Sequence, residues 1–116
     1  MFKISGTKIL ITRGDKGVIK FEIENYKFKK DDIIDFKIYK EKQLTQSPIK
    51  SKKIIVTTEK DFIEIELSSE DTRIGVSINK PVEYWYEIVL NSNQTILGYD
   101  DAGAKTITIY PEGADD

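Results

Sequence analysis

The chain has 116 residues and a mass of 13.3 kDa, with 18 basic and 20 acidic side chains, no His and no Cys. This length suits a single domain over 1–116, because two halves would each be too small to hold a core without disulfides or metals. The missing imidazole and thiol remove Ser-His and Cys-His nucleophile pairs and thiolate or imidazole metal sites, and a net charge of −2 supplies no basic field for nucleic acid.

Along the chain the dominant pattern has period two, and 19 Ile residues favour strands over helices. A first strand is expected over 8–12, followed by Gly14-Asp15-Lys16-Gly17, which reads as a tight hairpin connection. Strict apolar–charged alternation in Ile19-Lys20-Phe21-Glu22-Ile23-Glu24 predicts the next strand within 18–24. After a polar link from Asn25 to Asp32, alternation resumes in Ile34-Asp35-Phe36-Lys37-Ile38-Tyr39-Lys40. Thr45-Gln46-Ser47-Pro48 breaks the chain, and strands are expected at 53–58 and 63–67. Ser68-Ser69-Glu70-Asp71-Thr72-Arg73 has a capping serine followed by acids, which predicts one short helical turn near 69–73.

Tyr84, Tyr86, Ile88 and Leu90 form one face of the following strand, with Glu83, Trp85, Glu87 and Val89 on the other. Asn91-Ser92-Asn93 turns the chain into a strand at 94–98, Asp100-Asp101-Ala102-Gly103 turns it again, and 106–110 alternates as the last strand. About seven or eight short strands with regular turns predict an all-β, antiparallel, immunoglobulin-like β-sandwich, a small closed barrel being the alternative. The ordered core is expected over about 8–110, with a frayed acidic tail at 112–116. MFKISGTKILITRGD lacks the apolar run of a signal peptide, and no stretch approaches the roughly 20 apolar residues of a membrane span. No membrane insertion is expected.

Charge is unevenly placed: residues 1–26 carry +2, 27–60 carry +5 and 61–116 carry −9. A sandwich interleaves these segments into a mixed surface, or else leaves a basic and an acidic side suited to ordered contacts. Arg13-Gly14-Asp15 is an integrin-type tripeptide but reads as a turn. Asp100, Asp101, Asp115 and Asp116 lack the spacing of a Ca²⁺ loop. Glu64 with Glu66, and Glu83 with Glu87, are same-strand neighbours on a solvent face, whereas a glycosidase needs carboxylates converging about 5 to 10 Å apart in a cleft. Lys27, Lys29, Lys30, Lys50, Lys52 and Lys53 with Tyr26 and Phe28 make a weak basic–aromatic patch in an acidic chain. The most informative cluster is Trp85 between Glu83 and Glu87. It reads as a sugar-stacking platform or interface anchor, or as an indole covered by a loop or by a second packed face.

Four segments resemble the small β-sandwich proteins of phage tail and baseplate modules, similar to the N-terminal domain of phage baseplate upper proteins. They are Ile9-Leu10-Ile11-Thr12-Arg13-Gly14-Asp15, Asp32-Ile33-Ile34-Asp35-Phe36-Lys37-Ile38, Leu67-Ser68-Ser69-Glu70-Asp71-Thr72, and Tyr84-Trp85-Tyr86-Glu87-Ile88-Val89-Leu90, with Thr95-Ile96 before the final strand. The chain departs from that pattern at Lys80-Pro81-Val82-Glu83, where a Gly usually stands, and at the longer 73–78 segment. The resemblance implies a non-enzymatic assembly protein without cofactors or metals. Its partners would be other tail or baseplate proteins or further copies of itself. It would be made in the bacterial cytoplasm and then built into a virion or tail-like particle. Trp85, Glu83, Glu87, Lys50, Lys52 and Lys53 are the interface residues expected for that role. A carbohydrate- or ligand-binding module using Trp85 is the alternative.

Overall fold

The computed structural model describes residues 1–42, 46–75 and 79–113. Among the described residues nine strands form two sheets that share one hydrophobic core, an arrangement consistent with a β-sandwich. In chain order they are β1 (Phe2–Ser5), β2 (Lys8–Thr12), β3 (Gly17–Phe21), β4 (Ile33–Tyr39), β5 (Lys50–Ile55), β6 (Ile63–Leu67), β7 (Val82–Leu90), β8 (Gln94–Leu97) and β9 (Lys105–Tyr110). The wide sheet runs β1-β2-β9-β7-β4-β5, with β8 also paired to β7; the narrow sheet is β3-β6. All ladders are antiparallel except β2 with β9, so the wide sheet is mixed and not wholly antiparallel as expected. Among the described residues no helix is long and apolar enough to cross a membrane.

Alternation decides which side chains meet. Ile9 and Ile11 of β2, Ile34, Phe36 and Ile38 of β4, Tyr86, Ile88 and Leu90 of β7, and Ile107 and Ile109 of β9 line the inner face of the wide sheet. Ile19, Ile63, Ile65 and Leu67 face them from the narrow sheet. Two strands cannot cover a six-strand width, and loops complete the cover. Phe28, in the link after β3, is fully buried and packs edge-on against Phe21 and Tyr26, with ring centroids 5.9 and 5.4 Å apart. Reciprocal Phe28–Lys60 backbone bonds of 2.8 and 3.0 Å join this loop to the segment before β6, while Ile74 plugs the core from the turn after it.

Several expectations change. β1 was not anticipated; it folds back on β2 through Gly6, whose φ of +64° allows the tight return. Gly14–Gly17 is not a hairpin, because β2 and β3 lie in different sheets. It crosses between them, with Arg13 N–H bonded to Tyr110 O, Gly14 at φ +86° and Asp15 N–H bonded to Thr12 O. The strand expected at 53–58 lies at Lys50–Ile55, and the alternation after Phe21 continues into a loop. Residues 69–72 form consecutive turns where a helical turn was expected, and the described residues contain no helix. Ser68 still caps: its Oγ accepts from Asp71 N–H at 3.1 Å, and Ser68 N–H donates to Asp71 Oδ2 at 2.8 Å. The chain then leaves along Thr72-Arg73-Ile74 because Thr72 and Ile74 bond back to Arg13, Gly14 and Asp15 at the β2–β3 crossover, so no helix follows. The turn at Asn91-Ser92, with both φ values positive, joins β7 to β8 as expected. The end of the acidic tail, 114–116, the late part of the 73–78 segment, 76–78, and Thr45 in the expected break lie outside the described residues.

Candidate functional site

The outer face of the wide sheet carries the largest group of the sequence-derived candidates. β7 runs between β4 on one edge and β9 with β8 on the other, so its outward residues Glu83, Trp85, Glu87 and Val89 stand mid-sheet. Across β7 and β4 the outward pairs are Trp85 with Tyr39, Glu87 with Lys37, and Val89 with Asp35. Across β4 and β5 Asp35 stands opposite Lys53, and toward β9 Trp85 meets Thr106 and Glu83 meets Thr108. Leu10 of β2 continues the row beyond Thr108.

Tyr39 is only 5% exposed although it points away from the core, and its hydroxyl donates to Glu87 Oε1 at 2.5 Å. Burial, then the Glu87 hydrogen bond and the nearby negative charge, push the Tyr39 phenol well above its usual range. Trp85 is half-buried beside it. Gly98, after β8, lies beside Glu87: a Cβ there would be in ordinary contact with Glu87 Cβ at 3.7 Å but would crowd Thr95 Cγ2 at 2.7 Å, so a larger residue requires Thr95 to move. Among the described residues Asp35, Lys37, Lys53, Glu83 and Glu87 form no ion pair, and they present alternating charges around the Trp85–Tyr39 centre.

Lys50 and Lys52 go elsewhere. Their register opposite Ile38 and Phe36 turns them to the inner side of β5, the wide sheet's edge strand. Lys52 Nζ lies 2.7 Å from Asp71 Oδ2 and Lys50 Nζ 3.4 Å from Asp71 Oδ1. Burial alone would raise the Asp71 carboxyl. The Lys52 ammonium and the two Ser68 bonds outweigh it and hold the carboxyl down at about 2. Only Lys53 of the basic stretch shares the outer face with Trp85. The six candidates therefore divide into a facial group of four and an internal pair.

The other motifs are spent on structure. Arg13 donates to Ile74 O and Gly75 O at 3.3 and 2.8 Å and pairs with Glu112 at 2.6 Å, while Asp15 pairs with the Met1 amino group. Asp100 pairs with the buried Lys105 at 2.8 Å and accepts from Ala102 N–H, and that lysine bond holds its carboxyl below the usual range. Glu64 and Glu66 are exposed on the outer side of β6, opposite Lys20 and Val18. In the basic–aromatic patch Phe28 is core, and the half-buried Tyr26 packs edge-on against it while its hydroxyl donates to Asp32. Among the described residues no three His, Cys, Asp or Glu side chains gather as a metal site; Asp115 and Asp116 lie outside them.

Tyr39 and Lys37 belong to the face but were not singled out from the sequence. The signal was available: Tyr39 is an aromatic residue at a position that alternation assigns to the polar side of β4, as Trp85 is on β7. In comparison with known proteins, no family model, no curated protein and no solved structure matches this chain.

Proposed function

We propose that the protein is a non-enzymatic assembly module of immunoglobulin-like topology that makes protein–protein contacts through the outer face of its wide sheet. The topology is supported by strand order: β3-β6 opposed to β9-β7-β4 corresponds to the central strands of the two sheets in that fold. The observation that carries the function is the half-buried Trp85 in the middle of the outer face, beside the buried Tyr39 and among charges with no ion partners among the described residues. Large amphipathic aromatics with few rotatable bonds anchor interfaces well, and rings of alternating charge fix orientation and select partners. The wide-sheet edge is less suited, because β5 turns Lys50 and Lys52 inward.

The setting we propose is a phage tail or baseplate-like particle, on the motif resemblance described above. There the module would join other particle proteins after synthesis in the bacterial cytoplasm. Sedimentation of the purified chain, with and without salt and beside Trp85→Ala, tests the contact role. Association that rises with concentration, weakens with salt and is lost in the variant supports it. A monomer retarded by polysaccharide in affinity electrophoresis, and released by Trp85→Ala, overturns it in favour of sugar binding on the same face. Stoichiometric recovery of the chain in purified tail-like particles supports the setting; its exclusion from them removes it.

A further inference from the structure

Resting on that assembly role, we infer that the occupant of the outer face is a second copy of this chain. The two copies are related by a two-fold axis that runs along the strands between β4 and β7. The inference comes from how charges are paired across that line. Rotation about such an axis lays β4 of one copy on β7 of the other at the same register level. Because Lys37 and Glu87 are direct cross-strand neighbours, each Lys37 then faces the second copy's Glu87, and each Glu87 the second copy's Lys37. Trp85 is half-buried and lies one same-face step along β7, so each indole flanks the ion pairs, above the second copy's Tyr39 position, whose ring is only 5% exposed. One pair of strands thus supplies two symmetric ion pairs flanked by two indoles, the self-complementarity an isologous interface requires.

The other in-plane two-fold is disfavoured by the same residues. An axis across the strands at the Lys37–Glu87 level sets Glu87 on Glu87 and Lys37 on Lys37, and like charges in contact exclude an arrangement. A net charge of −2 per copy leaves little long-range repulsion to overcome. Six adjacent strands about 4.8 Å apart and between 4 and 9 residues long give a footprint of roughly 550 Å² per copy. That lies below the roughly 800 Å² per partner of a standard stable interface and suits a contact that forms and dissociates with concentration.

Reversing charges on separate chains isolates the contact between copies from the cross-strand contact within one. Lys37→Glu alone sets acid against acid in the dimer, and Glu87→Lys alone sets base against base; each is expected to weaken self-association tenfold or more in sedimentation velocity. Mixing the two variant chains restores an acid–base match at both symmetric positions, and association of the mixture is expected to return to within about threefold of the native chain. Circular dichroism checks that each variant is folded. If Glu87→Lys does not fold, Lys37→Cys and Glu87→Cys chains replace the pair, since the native chain has no Cys. Their mixture should then cross-link under mild oxidation faster than either chain alone. Single reversals that associate like the native chain, a mixture no tighter than its components, or no preference for mixed cross-links would overturn the two-fold. A native chain that stays monomeric at hundreds of micromolar, yet needs Trp85 to enter particles, would overturn the second copy as occupant and leave the assembly role standing.

Discussion

Asp71 shows how one carboxylate can determine what a strand edge is allowed to do. It accepts from Ser68 N–H, receives the Lys52 ammonium at 2.7 Å, and has Lys50 at 3.4 Å, so it ties the turn after β6 to the edge strand β5 across the open side of the fold. Its folded carboxyl is held at about 2, below the ~3.9 of an unfolded aspartate. A depressed acid stabilises the fold above its unfolded value, and that contribution is lost as pH falls through the folded value. Thermal melts of the native chain should therefore show a loss of stability between about pH 4 and pH 2 that Asp71→Asn lacks, the variant being less stable at neutral pH. Superimposable pH profiles would remove Asp71 from this role. Asp32 works the same way at the opposite link. Lys29 N–H, the Tyr26 hydroxyl and the Asn91 amide donate to it at 2.9, 2.7 and 3.1 Å, joining the loop before β4 to the β7–β8 turn. The Lys29 backbone bond is the main reason its carboxyl is lowered.

At the scale of elements, β5 is the strand whose sequence conceals its register. Its inward positions hold Lys50, Lys52 and Ile54, so the apolar alternation that marked β3, β4, β6 and β9 is absent at its start, and the strand was expected three residues too late. The same lysines protect it: an edge strand with charges pointing inward is a poor template for another strand. Replacing both, as Lys50→Thr with Lys52→Thr, leaves a flatter β-branched edge ending in Ile55, which is 56% exposed. Light scattering should then rise at concentrations where the native chain stays clear, and equal clarity would show that the lysines do not guard the edge. The β2–β3 connection eluded a local reading for a different reason. Gly14-Asp15-Lys16-Gly17 has hairpin chemistry, but Thr72, 1% exposed, accepts from Gly14 N–H and donates to Asp15 O, while Ser69 donates to Gly14 O. These long-range bonds convert a turn-like tetrapeptide into a crossover, and nothing within the tetrapeptide announces them. Trp85, Glu83 and Glu87 were legible as one outward face because β7 alternates. Their grouping with Tyr39, Lys37 and Asp35 depends on β4 being β7's neighbour, which the sequence leaves open.

For the whole molecule, the asymmetry of the two sheets is the main fact. Two strands and two loops cover the inner face of a seven-strand sheet, and the half-buried Trp85 stands near the middle of its outer face. The contrast of a +7 charge over residues 1–60 with −9 beyond does not divide the molecule into two poles. Strands from both segments interleave, and on the outer face opposite charges stand as cross-strand neighbours: Lys37 of β4 beside Glu87 of β7, and Lys53 of β5 beside Asp35 of β4. The near-balance of 18 basic and 20 acidic groups thus becomes a pattern with a position. Trp85 is the chain's single tryptophan, so its fluorescence reports on the centre of that face and nowhere else. The most direct measurement is its emission maximum across a dilution series from hundreds of micromolar to below one micromolar, read beside sedimentation. If the outer face is the contact surface, the maximum lies at shorter wavelength in the associated protein and moves to longer wavelength as it dissociates. An emission maximum that stays fixed while sedimentation records association would place the contact elsewhere and contradict the account.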